Sequence, residues 1–340
     1  MKLFGKILLW LLALLIAAFL LCRTPDTDPA EMRAKYGGAP SQFLELENGQ
    51  IVHVRDDGPR DGLPIILLHG SNADLHTWQP WVDGLKQDYR VIRFDQRGHG
   101  LTGPAADGDY TLAAYVEDVG RITQALGIDR YVLAGNSMGG SIAAALAMQY
   151  PERLIGLVLV DAGGAPDKSE AEGNIGFTIA AMPGLNRIAE QVTPRSLVEK
   201  SLVQSVANAD IVTDEMIDRY WELLRYPGNR RATLVRFSIP KQAFPEAAIA
   251  RIPTPSLILW GEKDPLIAVE GAYWYAKTLP DAKLVVYPGI GHLPHEEAPE
   301  RSLHDLREWL SSIKPPVNTE AFAGNQTRSS NGYAAPAMAE

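Results

Sequence analysis

Short, mostly apolar runs alternate with longer segments of helical spacing through much of the chain. The runs lie at residues 64–68, 90–94, 131–134 and 157–160, and turn residues bound them. Between them, residues 112–126 and 138–150 place apolar side chains at the three- and four-residue spacing of a helix face. Buried strands that alternate with helices predict a mostly parallel sheet covered on both faces. Upstream, an Asn-Gly pair between two strand-like segments, 43–46 and 50–54, predicts a β-hairpin.

The alternation stops between residues 164 and 248, where the pattern favours helices and contains no convincing strand. Strand-like runs return at residues 256–260 and 283–287, and a helical segment follows at 299–313. We therefore expect a core built from residues 41–163 and 249–314, interrupted by a helical cap at 164–248. An apolar stretch at 175–188 within this cap fits ordinary packing against the core or the lining of an acyl pocket.

Composition and charge restrict the classes of partner. The formal net charge is −9, and no run of Lys and Arg stands out. A nucleic-acid partner is therefore not expected, because its phosphates require a basic face. The single cysteine, Cys22, can form no intrachain disulfide and offers no thiolate cluster for a metal. No cofactor is expected, and Arg225, Arg230, Arg231 and Arg236 are interpreted as a solvated face.

The strongest chemical signal is the pentad at residues 135–139, Gly-Asn-Ser-Met-Gly. It matches G-x-S-x-G, with an apolar strand before it and an Ala-rich helix after it. A serine at such a strand-to-helix elbow takes a strained backbone conformation, and the flanking glycines let strand and helix approach closely. We interpret Ser137 as a nucleophile, whereas the plainer interpretation is a serine that only caps the helix.

A nucleophilic serine needs hydrogen-bond donors for the oxyanion that forms when it attacks a carbonyl. One donor is expected to be the amide of Met138, directly after the nucleophile. The second should come from the loop after residues 64–68, which reads His69-Gly70-Ser71-Asn72. The amide of Ser71 is the first choice and that of Asn72 the alternative, and His69 is expected to support the loop.

The serine also needs a base, and the base needs an orienting carboxylate. His292 follows the last predicted strand and is the expected base, with His295 as the second choice. His99 lies in a Gly-rich loop and is interpreted as structural. Asp264 follows the strand at 256–260, and Asp161 ends the strand at 157–160. Either carboxylate lies at a strand end from which it could reach a histidine, and Asp264 is preferred because the order Ser137, Asp264, His292 fits this elbow.

Residues from about 42 to 314 resemble α/β-hydrolases with a helical cap. The string at 135–140, with Pro-Ser-Leu-Ile-Leu-Trp-Gly-Glu-Lys-Asp at 255–264, is similar to bacterial lipases and esterases. The resemblance implies an eight-stranded sheet and hydrolysis of an apolar carboxylic ester through an acyl-serine.

The string at 135–140 also occurs in carbon–carbon bond hydrolases of aromatic ring-cleavage pathways, which usually carry Gly-Pro-Gly where this chain has Asn72-Ala73-Asp74. That activity is the alternative to ester hydrolysis. A non-catalytic ligand receptor on the same fold is a further alternative.

The N-terminus predicts a membrane anchor over residues 1–22. Lys2 and Lys6 precede an apolar run at 7–22, and the run ends Leu20-Leu21-Cys22-Arg23, without the small-x-small pattern of a cleavage site. A cleaved signal peptide and a lipid-modified Cys22 are the alternatives. The charges favour a cytoplasmic N-terminus and a periplasmic folded domain, so a lipid bilayer is an expected partner. Residues 23–40 have a linker composition, and 315–340 are predicted to be disordered.

Overall fold

The computed structural model describes residues 2–166, 190–240 and 242–313. The apolar cap stretch at 175–188 and the predicted disordered tail at 315–340 lie outside the described residues. The strands are β1 (Gln42–Glu45), β2 (Ile51–Asp57), β3 (Pro64–Leu68), β4 (Arg90–Phe94), β5 (Tyr131–Asn136), β6 (Leu154–Val160), β7 (Ser256–Gly261) and β8 (Ala282–Tyr287).

These strands form one eight-stranded sheet in the order β1-β2-β4-β3-β5-β6-β7-β8. β2 runs antiparallel to β1 and β4, and every other neighbouring pair is parallel. The predicted mostly parallel α/β-hydrolase sheet is therefore confirmed. Its register pairs Leu68 with Gly135 and Asn136 with Val160, so the carboxyl ends of β3, β5 and β6 meet at one edge.

The helices are α1 (Lys2–Cys22), α2 (Pro29–Tyr36), α3 (Gln79–Leu85), α4 (Leu112–Ala125), α5 (Met138–Gln149), α6 (Arg195–Ser205), α7 (Asp214–Leu224), α8 (Asn229–Ser238), α9 (Glu246–Ile249), α10 (Glu270–Thr278), α11 (Pro294–Glu297) and α12 (Pro299–Ser312). Alternate residues of each strand point to opposite faces of the sheet. Ile66 and Leu68 accordingly pack with α4 and α5, whereas Ile65 and Leu67 pack with α3 and α12. Both faces of the sheet are thus covered by helices.

The part of the cap that the structure describes is helical and packs over the carboxyl edge of the sheet. Apolar residues of α6 and α7, including Val198, Leu202 and Ile217, form a buried cluster. The same cluster contains Ala73, from the loop after β3, and Leu293, next to the predicted base. The cap therefore contacts the two loops in which the sequence places the oxyanion donor and the base.

Residues 23–40, expected to be a linker, are joined to the cap by specific contacts. The backbone amide of Thr27 donates to the carbonyl of Arg225 at 3.0 Å, and Arg230 forms a 2.6 Å ion pair with Asp26. Met32 of α2 is buried with Leu223 of α7. The composition of this segment predicted a linker because it did not reveal these partners, which lie far away in the sequence.

The predicted membrane anchor is not supported. Among the residues that the structure describes, no helix combines the length and the apolar character needed to cross a membrane. The prediction of a single-pass membrane protein with a periplasmic domain is therefore wrong, and the described residues give no support to a lipid bilayer as partner.

Candidate active site

Ser137 occupies a strained turn between β5 and α5. Its backbone has φ 53° and ψ −115°, a conformation that non-glycine residues rarely adopt. The turn is tight because a Cβ at Gly135 would collide with the backbone of Gly139, and one at Gly139 would collide with the carbonyl of Leu68. The two glycines of the pentad thus allow strand, helix and neighbouring loop to meet around Ser137.

The loop after β3 lies directly against this turn. A Cβ at Gly70 would be 3.2 Å from the Cβ of Ser137, so only glycine leaves the approach unstrained. The next residue, Ser71, contacts Met138 with its hydroxyl 3.6 Å from the thioether sulfur. Asn72, the alternative donor, has φ 61°. The structure therefore places Ser71 and Met138, the two predicted oxyanion donors, side by side at the amino end of α5.

His292 and Asp264 form a buried pair at the same edge of the sheet. The Nδ1 atom of His292 lies 2.7 Å from Oδ2 of Asp264, and the two side chains are 6% and 0% exposed. The other oxygen of Asp264 accepts hydrogen bonds from the amides of Leu266 and Ile267, at 2.7 and 3.0 Å. These bonds fix the carboxylate so that one oxygen remains for the imidazole.

Asn136 connects this pair to the serine turn. Its side-chain amide donates to the carbonyl of His292 at 3.1 Å and to that of Val160 at 3.2 Å. Val160 in turn accepts the backbone amide of Ser137 at 3.0 Å. Ser137, His292 and Asp264 are thereby brought to one rim of the sheet. The sequence analysis gave no role to Asn136, although its place inside the pentad was a signal.

Glu297 of α11 holds the histidine loop from the cap side, and the sequence analysis did not identify it. One carboxylate oxygen accepts the amide of Gly291 at 2.9 Å. The other accepts the amides of Ala207 and Asn208 in the cap, at 2.8 and 3.3 Å. The backbone amide of His292 also donates to the carbonyl of Ser205 at 2.9 Å. The position of the histidine loop therefore depends on the cap.

The second choice of base, His295, is a packing residue in the structure. Its ring stacks on Trp78 with centroids 4.3 Å apart, and its Nε2 lies 3.0 Å from the hydroxyl of Thr77. Burial, together with the nearby His292, lowers the pKa of His295 to about 3. A fully buried imidazole of this kind stays neutral, and Asp264 pairs with His292 instead.

The histidines expected to be structural occupy buried hydrogen-bonding positions. His69 lies 2.8 Å from the carbonyl of Gly70 through Nδ1 and accepts the amide of Gln96 at 3.0 Å. His99 accepts a 2.8 Å hydrogen bond from Arg236, and burial lowers the pKa of both imidazoles. Both histidines thus support loops around the site.

The arginines interpreted as a solvated face are not all solvated. Arg236 of α8 is 9% exposed and donates to the side-chain oxygen of Asn72 at 2.9 Å as well as to His99. Among the described residues it has no carboxylate within ion-pair distance. Arg230 is 6% exposed. The interpretation as a solvated face is wrong for these two residues, because Arg236 packs against loops of the core and Arg230 is held by Thr24 and Asp26.

Asp161, the alternative orienting acid, lies beside the His292–Asp264 pair. It is fully buried at the end of β6, and one of its oxygens accepts the amide of Gly261 at 2.9 Å. A carboxyl oxygen of Asp161, one of Asp264 and a ring nitrogen of His292 lie within 4.8 Å of one another, the one grouping among the described residues that could hold a metal ion. Burial, followed by the neighbouring Asp264, raises the pKa of Asp161 well above its usual value.

A second hydrogen-bonded group of Ser, His and Asp side chains lies away from the serine turn. The Nε2 atom of His53 lies 2.8 Å from the hydroxyl of Ser41, and its Nδ1 lies 2.7 Å from Asp95. Arg55 donates to the same hydroxyl at 2.9 Å. A guanidinium that donates to the oxygen of Ser41 ties up a lone pair and weakens it as a nucleophile. A serine hydrogen-bonded to a histidine, which is in turn hydrogen-bonded to an aspartate, is therefore not enough to identify a reactive nucleophile.

Comparison with known proteins gives the same fold. A family model described as alpha/beta hydrolase fold matches residues 64–299. A 2-hydroxymuconate semialdehyde hydrolase of Pseudomonas putida is 29% identical over 287 residues, which cover 80% of this chain and 97% of that relative.

Two solved structures are also similar to this chain. A thermophilic esterase from Thermogutta terrifontis has a TM-score of 0.67 and 28% identity, covering 81% of this chain and 99% of that one. A meta-cleavage product hydrolase from Pseudomonas fluorescens has a TM-score of 0.69 and 24% identity, covering 80% and 98%, a likeness that concerns the fold.

Proposed function

Because the chain belongs to the α/β-hydrolase fold family, we propose that it is a serine hydrolase with Ser137 as nucleophile and His292 as base. Asp264 orients the base in this proposal. The observation that carries it is the 2.7 Å pairing of His292 with Asp264, joined through Asn136 to the strained turn of Ser137. These contacts support a site at the carboxyl edge of the sheet, where this fold carries its nucleophile.

The proposed mechanism follows from which ring nitrogen is engaged. Nδ1 of His292 donates to Asp264, so Nε2 carries the free lone pair and can take the proton of Ser137. The serine oxygen attacks the substrate carbonyl, and the amides of Ser71 and Met138 stabilise the oxyanion. The tetrahedral intermediate then collapses, and the leaving group takes the proton from His292 as its bond to the carbonyl carbon breaks. Water attacks the acyl-serine with His292 again as base, which releases the acid and restores Ser137. Each oxyanion donor contributes on the order of 10²–10³ in rate.

The bond that is cleaved has two candidate classes. Hydrolysis of a carboxylic ester follows from the sequence and is supported by the likeness to the esterase. Carbon–carbon hydrolysis of a ring-cleavage product is better supported by the names of the relatives. Arg236 also favours the second class, because a buried guanidinium whose acceptors among the described residues are neutral suits a substrate that carries a carboxylate.

A direct comparison of the two substrate classes tests the proposal. We would assay the full chain and the Ser137→Ala variant on p-nitrophenyl esters of graded acyl length and on a 2-hydroxy-6-oxo-hexa-2,4-dienoate. Loss of turnover by about 10⁴-fold in the variant, with an unchanged melting temperature, is expected for the substrate that is used. The proposal fails if the variant keeps most of its activity on that substrate.

A further inference from the structure

A carboxyl oxygen of Asp161 and one of Asp264 lie within 4.8 Å of each other, beside a ring nitrogen of His292. The side chains of both aspartates are completely buried. One oxygen of Asp161 accepts the amide of Gly261, but the other, Oδ2, has no hydrogen-bond donor among the described residues. A buried polar oxygen without a partner is rare in folded proteins. The arrangement requires an explanation that two ionised carboxylates do not provide.

A single proton on the pair removes the conflict. Two carboxylates side by side repel each other strongly away from water, so one of them retains its proton. Asp264 is the better anion, since it accepts two backbone amides and faces His292. Asp161 has one backbone donor and no cationic partner among the described residues. The proton therefore resides on Asp161.

We propose that Asp161 carries a proton at neutral pH and donates its O–H to the Asp264 carboxylate, so that it positions Asp264 for the hydrogen bond to His292. The pair then has one proton and one negative charge. Asp161 is a positioning residue that acts through Asp264 and does not touch the substrate. The inference rests on the proposed role of Asp264 as the orienting carboxylate.

The other charged groups around Asp161 agree with this assignment. Asp264 lies in the loop after β7, Glu297 on α11 and Tyr287 on β8, and His292 is the one basic group among those that face it. The two carboxylates, Asp264 and Glu297, disfavour a further negative charge. Burial and these neighbours together raise the pKa of Asp161.

Replacement of Asp161 by Asn distinguishes a protonated Asp161 from an ionised one, because the two give different results. The amide of Asn keeps the shape, donates to Asp264, accepts from Gly261, and tolerates the φ of 43° at this position. We expect the acid limb of the pH–rate profile not to move, because no negative charge is lost beside His292. An ionised Asp161 would instead stabilise the imidazolium. Its loss would then move the acid limb to lower pH by about one unit or more and reduce kcat, which would overturn the proposal.

A spectroscopic experiment gives an answer that does not depend on turnover. With ¹³C-carboxyl aspartate incorporated into the full chain, one signal should keep the chemical shift of a protonated carboxyl at neutral pH. That signal should be missing from the Asp161→Asn variant. Ionised shifts for every aspartate would overturn the proposal. The spectrum can be read even if Ser137 proves not to be the nucleophile, so the two hypotheses fail separately.

Discussion

The side-chain amide of Asn136 donates to the main-chain carbonyl of His292 at 3.1 Å, across 156 positions of sequence. Asn136 is the last residue of β5, and its other hydrogen bond goes to Val160 at the end of β6. One buried amide therefore joins the histidine loop to the strand that precedes the proposed nucleophile. This link fixes the distance between base and nucleophile more directly than the packing of the cap does.

Replacing Asn136 by Ala should loosen this link. The carbonyl of His292 would lose its donor inside the protein, and an unsatisfied buried group costs about 1–3 kcal/mol. We expect kcat to fall about ten- to hundredfold, since the imidazole would no longer be held against the serine turn. Steady-state kinetics on whichever of the two substrate classes the protein hydrolyses measure the fall in kcat, and a melting curve measures the loss of stability.

Asn229 offers a matched control for this variant. Its amide also donates to two backbone carbonyls, those of Gly100 and Leu223, at 3.0 and 2.8 Å. Asn229→Ala should lower the melting temperature in a similar way but leave kcat within about threefold. Equal losses of turnover in both variants would show that Asn136 acts only through overall stability.

The serines of the two Ser-His-Asp groups, Ser137 and Ser41, should differ in reactivity. A fluorophosphonate probe is expected to label Ser137 and not Ser41, because Ser41 receives a hydrogen bond from Arg55, whereas Ser137 lies in a strained turn. Mass spectrometry of the labelled full chain identifies the modified serine. Ser137→Ala should abolish labelling, and Ser41→Ala should leave it intact. A label on Ser41 in the Ser137→Ala protein would contradict this assignment.

The sheet was predictable from the sequence because its strands are short apolar runs between turn residues. β3, β5, β6 and β7 are buried on both faces, so nearly every residue in them is apolar. The serine turn was predictable for a different reason. Gly135 is required because a Cβ there would collide with the backbone of Gly139, and a local requirement of this kind leaves a local motif. Gly139 adds a requirement set by the carbonyl of Leu68.

The residues that sequence analysis missed act over long distances. Glu297 holds amides of a cap segment about 90 positions away, and residues 26–32 contact cap residues near position 225. Neither contact leaves a periodic pattern or a motif, since each depends on tertiary folding. The membrane anchor was inferred from the apolar run at residues 7–22, and among the described residues no helix is long and apolar enough to cross a membrane.

Glu297 should matter for catalysis because it ties the histidine loop to the cap. In Glu297→Ala the amides of Gly291, Ala207 and Asn208 lose their acceptor together. We expect kcat/KM to fall by about tenfold or more, since hydrogen bonds to a charged group contribute about 1.5–3 kcal/mol each. Hydrogen exchange at these three amides should become faster.

Glu300→Ala is the matched control for this prediction, since Glu300 is an exposed glutamate in the first turn of α12. Its kcat/KM and amide exchange should stay close to those of the parent protein. If Glu297→Ala kept full activity while exchange at the three amides accelerated, the cap contact would be structural only.

His295 should make the protein sensitive to acid. Its folded-state pKa of about 3 is below the value of about 6.5 expected in the unfolded chain. The unfolded state therefore takes up a proton first, so this contribution to stability is complete above pH 6.5 and is lost progressively as the pH falls toward 3. At pH 5 the loss is about 2 kcal/mol.

His295→Phe keeps the stacking on Trp78 but cannot titrate, so its free energy of unfolding should decline less steeply between pH 7 and 5. The exposed His304, replaced by Gln, should leave the slope unchanged. Denaturant unfolding at a series of pH values measures both slopes, and an equally steep decline in His295→Phe would mean that His295 is not the residue that responds to acid.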